Sequence, residues 1–246
     1  FTPMAMIHHS CSVQFAAYLH CLVKPTNALY VAAVGGTRGR GDKASIMTSQ
    51  DILKSNPFKK QIFAPQGDGI VKDTFVSVGT AISAWEHCEV SFGTIYAALV
   101  KPAGGTHVVL RAYGTILAPS ARREMIRGAA EAYFAVFENK PLSKALQNLM
   151  SLHEDGATRR NEIVHGYVMS EPLMPGRKPS YFLVPSLFTS KKNKLHHQRS
   201  KYRFSTRELD NYCKCFEALS SRAMKFQQDL RAFYSSLPDD LREKFP

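Results

Sequence analysis

Apolar positions along this chain recur mostly at steps of three and four, the spacing of helices with one buried face. Phe75, Val78, Ile82, Trp85, Glu89, Phe92, Tyr96 and Leu99 form one such stripe, ended by Lys101-Pro102-Ala103-Gly104-Gly105. Residues 108–117 fit a short helix or a strand. Pro119 suits a first helical turn. Met125, Ala129, Tyr133 and Val136 then mark a face rich in small residues, broken at Asn139-Lys140-Pro141. A third stripe opens with Leu142, Leu146 and Leu149 and continues to His153, Gly156, Arg160 and Val164. This helix therefore begins apolar and turns polar on its inner side.

Residues 181–184 and 201–204 read as two strands. Ser205 and Glu208 make a capping box. It launches the cleanest stripe in the chain: Leu209, Tyr212, Phe216, Leu219, Ala223, Phe226, Leu230, Phe233 and Leu237, stopped by Pro238. That stripe is core, with a two-helix dimer seam or a partner-docking face as the lesser alternative. The pattern predicts an all-α bundle of about four main helices with a small inserted basic β-hairpin at about 180–204. The helical domain covers 47–246.

Residues 1–46 show no sustained periodicity and read as a poorly structured N-terminal extension. Gly35-Gly36-Thr37-Arg38-Gly39-Arg40-Gly41-Asp42-Lys43 looks like a phosphate loop at first sight. It lacks the Gly-Lys-Ser/Thr ending, and Asp42 would repel a phosphate. It reads instead as a linker. Met47 opens a more ordinary sequence, and translation starting there is the expectation. Turn signals, among them Asn56-Pro57, fill 51–69.

At 246 residues, 44% of them hydrophobic, the chain suits one domain with an appendage. Its 32 Lys plus Arg against 20 Asp plus Glu give a formal charge of +12, which favours an anionic partner. The five cysteines are odd in number and irregularly spaced, which argues against a disulfide frame and for a reducing cytoplasm. No apolar run is long enough to span a bilayer, so no membrane partner is expected. His196-His197 has no spaced partners, and neither a metal site nor a cofactor is assigned.

The densest chemistry is Arg159-Arg160-Asn161-Glu162-Ile163-Val164-His165-Gly166. On a helix Asn161 and His165 nearly stack, with Arg160 roughly 140° round from His165. A permanent cation beside a group that titrates near neutrality suits phosphate chemistry. No acidic metal-ligand cluster lies nearby, so that chemistry is expected to be metal-free. Glu89 is the one acid on a core-facing stripe and needs a partner. A structural ion pair with Arg122, Arg123 or Arg127 is one reading, and reach toward Arg160 the other. Between Glu171 and Glu208 there is no acid, and Lys191, Lys192, Lys194, Arg199 and Lys201 are candidate RNA-backbone contacts.

Arg160-Asn161-Glu162-Ile163-Val164-His165-Gly166 resembles the signature of the HEPN superfamily: Arg, a polar residue, a few residues, His, often Gly. The helix order from about Val71 to Leu237 is similar to that family more loosely. The resemblance implies a helical bundle that pairs as a homodimer with two Arg/His motifs across a cleft. It implies a metal-independent endoribonuclease of a defence or toxin–antitoxin system, with RNA as substrate and an antitoxin protein as partner. His165 and Arg160 would be catalytic with Asn161, and Glu89 and Arg159 supporting. The alternative is a non-catalytic HEPN-like scaffold that binds RNA, nucleotide or protein.

Overall fold

The computed structural model describes residues 52–59, 62–100, 105–171, 178–186 and 202–243. In chain order these form α1 (Val71–Val100), α2 (Thr106–Gly114), α3 (Pro119–Val136), α4 (Lys140–Val164), β1 (Gly166–Ser170), β2 (Tyr181–Pro185), α5 (Thr206–Ser235) and α6 (Asp239–Glu243). The expected all-α bundle is present, with α1, α3, α4 and α5 as its main helices. The expected extension at 1–46 lies outside the described residues. So do Lys191, Lys192, Lys194, Arg199 and Lys201.

The two longest helices, α1 and α5, pack along each other. Ser77 Oγ donates to Asp210 Oδ1 at 2.8 Å, and the hydroxyls of Ser91 and Ser220 lie 2.7 Å apart. The residue numbers rise together along both helices, so these helices run parallel. The buried face of α1 takes in its expected stripe from Val78 to Leu99 and widens onto a neighbouring line of small residues. Ser77, Ala81, Ala84, Cys88 and Ser91 are buried with Trp85, Phe92 and Ile95, while Phe75 is 58% exposed. Small side chains admit a neighbouring helix more closely than large ones, so α5 can lie close beside the aromatic stripe. On α5 the expected stripe is buried from Leu209 to Leu230.

Three of the main helices start where the sequence marks a helix start. Pro119 occupies the first turn of α3. Asn139 Oδ1 accepts from Leu142 N at 3.0 Å and opens α4. Glu208 Oε2 accepts from Ser205 N at 3.0 Å and opens α5. The stretch at 108–117 is helical as far as Gly114, and α2 lies against Gly93 of α1. A Cβ at Gly93 would stand 3.1 Å from Leu110 Cδ2.

Helix α4 runs antiparallel to α1, since His153 faces Glu89 and Arg160 faces Glu86. Its buried face includes Leu146, Leu149, Leu152, His153, Gly156 and Ile163. At Gly156 a Cβ would lie 3.2 Å from Trp85 Cζ3, so the missing side chain makes room for the indole. Trp85 in turn meets Phe216 edge-on at 5.3 Å, and Phe216 stacks on Phe58 at 5.5 Å. This aromatic centre ties α1, α4 and α5 into one core.

The hairpin differs from the one expected. Strand β2 pairs antiparallel with β1, from Gly166↔Pro185 to Ser170↔Tyr181. The stretch expected as second strand contributes only bridges, Phe204 to Leu183 and Arg203 to Phe63. Phe204 directly precedes the Ser205 cap of α5, so the chain turns helical before a ladder can grow. The strand that takes its place springs from the end of α4.

Candidate functional site

The last two turns of α4 divide the motif by face. Arg159 and Ile163 are buried, Arg160 is half-buried, and Asn161 and His165 are exposed. His165 is the C-cap of the helix, and its N–H donates to Asn161 O at 3.0 Å. The following Gly166 already belongs to β1. A Cβ there would stand 2.9 Å from Leu183 Cγ and 3.0 Å from Glu162 O. Glycine at 166 therefore lets helix and hairpin meet with no spacer, and this junction holds the imidazole outward. Tyr202 fixes the same turn by donating its hydroxyl to Glu162 O at 2.9 Å.

The two adjacent arginines have different surroundings. Arg159 is sealed in, with Nη1 at 2.5 Å from Glu162 Oε2. Around it the Tyr202 and Tyr212 hydroxyls are pushed far above their ordinary range, chiefly by burial. Arg160 lies nearer the surface, with Nη1 at 3.3 Å from Asn161 Oδ1 and Nη2 at 3.5 Å from Glu86 Oε1. Its guanidinium thus touches one other motif residue and one exposed acid. Glu86 was not singled out by the sequence; its sole signal was a position one turn before Glu89 on α1.

Glu89 is a structural anchor. Arg122 Nη1 lies 3.1 Å from Glu89 Oε2, and His153 Nε2 lies 2.9 Å from Glu89 Oε1. Of the two readings of this acid, the ion pair with Arg122 is the one observed. Its expected reach to Arg160 is not; Glu86 occupies that place. Burial by itself raises the Glu89 carboxyl, but hydrogen bonds and charge from His153 and Arg122 outweigh it and hold the group below the usual carboxylate range. The His153 ring packs 4.2 Å from Phe92 and 4.9 Å from Trp85, centroid to centroid. The imidazole is thus enclosed by aromatic rings and cannot meet a substrate.

Asn161 and His165 thus stand on an accessible surface, with Arg160 beside them and Arg159 buried in the same turns. A groove of about 400 Å³ between α1 and α5, lined by Thr80, Ser83, His87, Cys213 and Glu217 among others, includes none of the motif residues. Among the described residues no group of three or more His, Cys, Asp or Glu is placed to hold a metal, and no helix is long and apolar enough to cross a membrane. Comparison of the chain with family models, with curated proteins and with solved structures gives no match.

Proposed function

We propose that this protein is a metal-independent endoribonuclease of the HEPN type. The observation that carries the reading is the exposure of Asn161 and His165 at one helix end, beside a half-buried Arg160 that already touches Asn161. An imidazole is at its most useful as a proton carrier near neutrality. A guanidinium makes paired, charge-assisted contacts with phosphate oxygens.

In the proposed reaction His165 takes the proton from an RNA 2′-hydroxyl. The 2′-oxygen attacks phosphorus, the bond to the 5′-oxygen breaks, and that oxygen receives a proton. The products are a 2′,3′-cyclic phosphate and a 5′-hydroxyl. Arg160 stabilises the charge that grows on the non-bridging oxygens, and Asn161 orients the guanidinium or donates to the phosphate. In-line displacement places the attacking and leaving oxygens on opposite sides of phosphorus, so one exposed imidazole serves one side. A second copy of the chain would supply the other His165 and the second wall of a crevice. RNA and a homodimeric partner are therefore part of the proposal, as are a defence or toxin–antitoxin setting in the cytoplasm and an antitoxin that silences the site.

The contact between Arg160 and Glu86 favours one second reading, a HEPN-like scaffold that binds RNA, nucleotide or protein without cutting, because an acid already satisfies the guanidinium. One assay separates them. Purified protein is incubated with labelled RNA in EDTA beside His165→Ala. The nuclease reading expects fragments with cyclic-phosphate ends, falling at least about 100-fold in the variant. Equal cleavage by both proteins overturns the assignment of His165, and binding without fragments establishes the scaffold.

A further inference from the structure

We infer that Tyr167 is a stacking platform for an unpaired RNA base next to the His165 site. The inference rests on the RNA reading of that site and adds a residue to it. Among the described residues, three exposed large hydrophobic side chains are aromatic: Phe63, Phe75 and Tyr167. The Arg203 guanidinium lies 4.4 Å from the Phe63 ring centre and takes one face of it. Phe75 precedes Glu86 by eleven positions on α1, about 16 Å along the helix axis. Tyr167 is two residues beyond His165, at most about 7 Å between Cα atoms. A base attached to the scissile nucleotide or its neighbour spans that gap.

The strand explains why the ring faces outward. Side chains alternate along β1. Val168 packs against the core, so Tyr167 and Met169 take the opposite side, 37% and 39% exposed. Tyr167 Oη donates to Met169 Sδ at 3.5 Å, which lays the side chain along the strand. With its hydroxyl engaged, what the ring offers is its π face. A tyrosine has two side-chain torsions to fix, so a platform already held in place costs little ordering on binding. The exposed acid further along, Glu171, is paired with Arg203 and so presents less bare charge to an RNA chain. Base–aromatic stacking tolerates any sequence but favours the larger surface of a purine.

The test uses the wild-type protein with 2′-O-methyl oligoadenylate and oligouridylate, which bind but lack the nucleophile. Dissociation constants are measured by fluorescence anisotropy for wild type, Tyr167→Ala, Tyr167→Phe and the remote control Phe75→Ala. Tyr167→Ala is expected to weaken oligoadenylate binding about tenfold and to erase the preference for adenylate over uridylate. Tyr167→Phe, which keeps the ring, restores most of both, and Phe75→Ala leaves both as they were. Cleavage of ordinary RNA is followed in parallel. Unchanged binding and preference in Tyr167→Ala, with cleavage by wild type intact, overturn the stacking role and leave the nuclease reading standing. Tyrosine-dependent binding without His165-dependent cleavage upholds the platform and overturns the nuclease. Binding of neither oligonucleotide overturns the platform and the RNA reading together.

Discussion

Arg160 Nη2 stands 3.5 Å from Glu86 Oε1, across the antiparallel seam of α4 and α1. In the proposed reaction a phosphate oxygen would displace this carboxylate, and the pair is only partly shielded, with side-chain exposures of 27% and 58%. Such a contact contributes little to stability. It does compete for the guanidinium. Glu86→Gln is therefore expected to tighten RNA binding by about two- to fivefold at low salt, with the gain shrinking at high salt. Titrations of labelled RNA at two ionic strengths check this. An unchanged affinity would mean that Arg160 does not meet the phosphate.

Removing Arg159 should act differently from removing Arg160. Arg159 is buried and paired with Glu162, so Arg159→Ala leaves an acid in the interior and is expected to cost about 3 kcal/mol of stability. Arg160→Ala is expected to lower cleavage by at least about 100-fold with a far smaller change in the denaturation midpoint. Urea unfolding and RNA cleavage measured on both variants give the comparison. Equal losses of stability would erase the division of labour between the two arginines.

The Gly166 junction predicts a steric penalty. Alanine at 166 brings a methyl within 2.9 Å of Leu183 Cγ and 3.0 Å of Glu162 O. Overpacking of this kind costs about 1–3 kcal/mol. Leu183→Ala on top of Gly166→Ala should recover part of that clash, giving a double variant more stable than the sum of the single effects. Strict additivity in a double-mutant cycle would rule the contact out as the cause.

The buried acid and the buried thiols set limits at opposite ends of the pH scale. Glu89 is held below the usual carboxylate range, so it is ionised in the fold where an unfolded carboxyl, with its pKa of about 4.3, begins to take up a proton. Its stabilisation is complete above that value and is lost as pH falls through the lowered folded one. Thermal midpoints between pH 6 and 3 should fall more steeply for wild type than for Glu89→Gln, which starts lower at neutral pH.

At the alkaline end burial works in the other direction. It pushes the Cys213 and Cys215 thiols up to about 11 from 9.0, and the Tyr133 hydroxyl up to about 12 from 10.0. An unfolded chain releases these protons first, so stability is lost as pH rises above about 9. Thermal melts from pH 8 to 11 should show a progressive fall. Thiol labelling of Cys88, Cys213 and Cys215 in the native protein at pH 8 should be slow, since all three are buried. Fast, complete labelling of the native protein would contradict the burial.

Much of the architecture could be read from spacing, because helix caps and apolar periods act locally. Asn139, Pro119 and the Ser205–Glu208 box each mark a helix start that the fold keeps. The full width of the buried face of α1 was harder to see. The stripe from Val78 to Leu99 is kept, but Phe75 is left exposed and Ser77, Ala81 and Ala84 are buried as well, a choice made by the neighbour and not by the helix itself. Strand β1 was hidden for a related reason. Its five residues follow a helix without a turn signal, and the partner that makes them a strand comes later in the chain. At the candidate site, the shared helix end of Arg160, Asn161 and His165 follows from spacing alone. The partners of Glu89 and of Arg160 depend on how α3 and α4 lie against α1, and no local pattern records that.

The absence of any spacer between α4 and β1 has a mechanical meaning for His165. The residue is the rivet at which two stiff members are fastened, and it carries slack from neither. A tilt of the hairpin must swing the imidazole, and a shift of the helix must drag the strand and Tyr167 with it. Whatever grips the outer face of that hairpin therefore holds a lever on that imidazole.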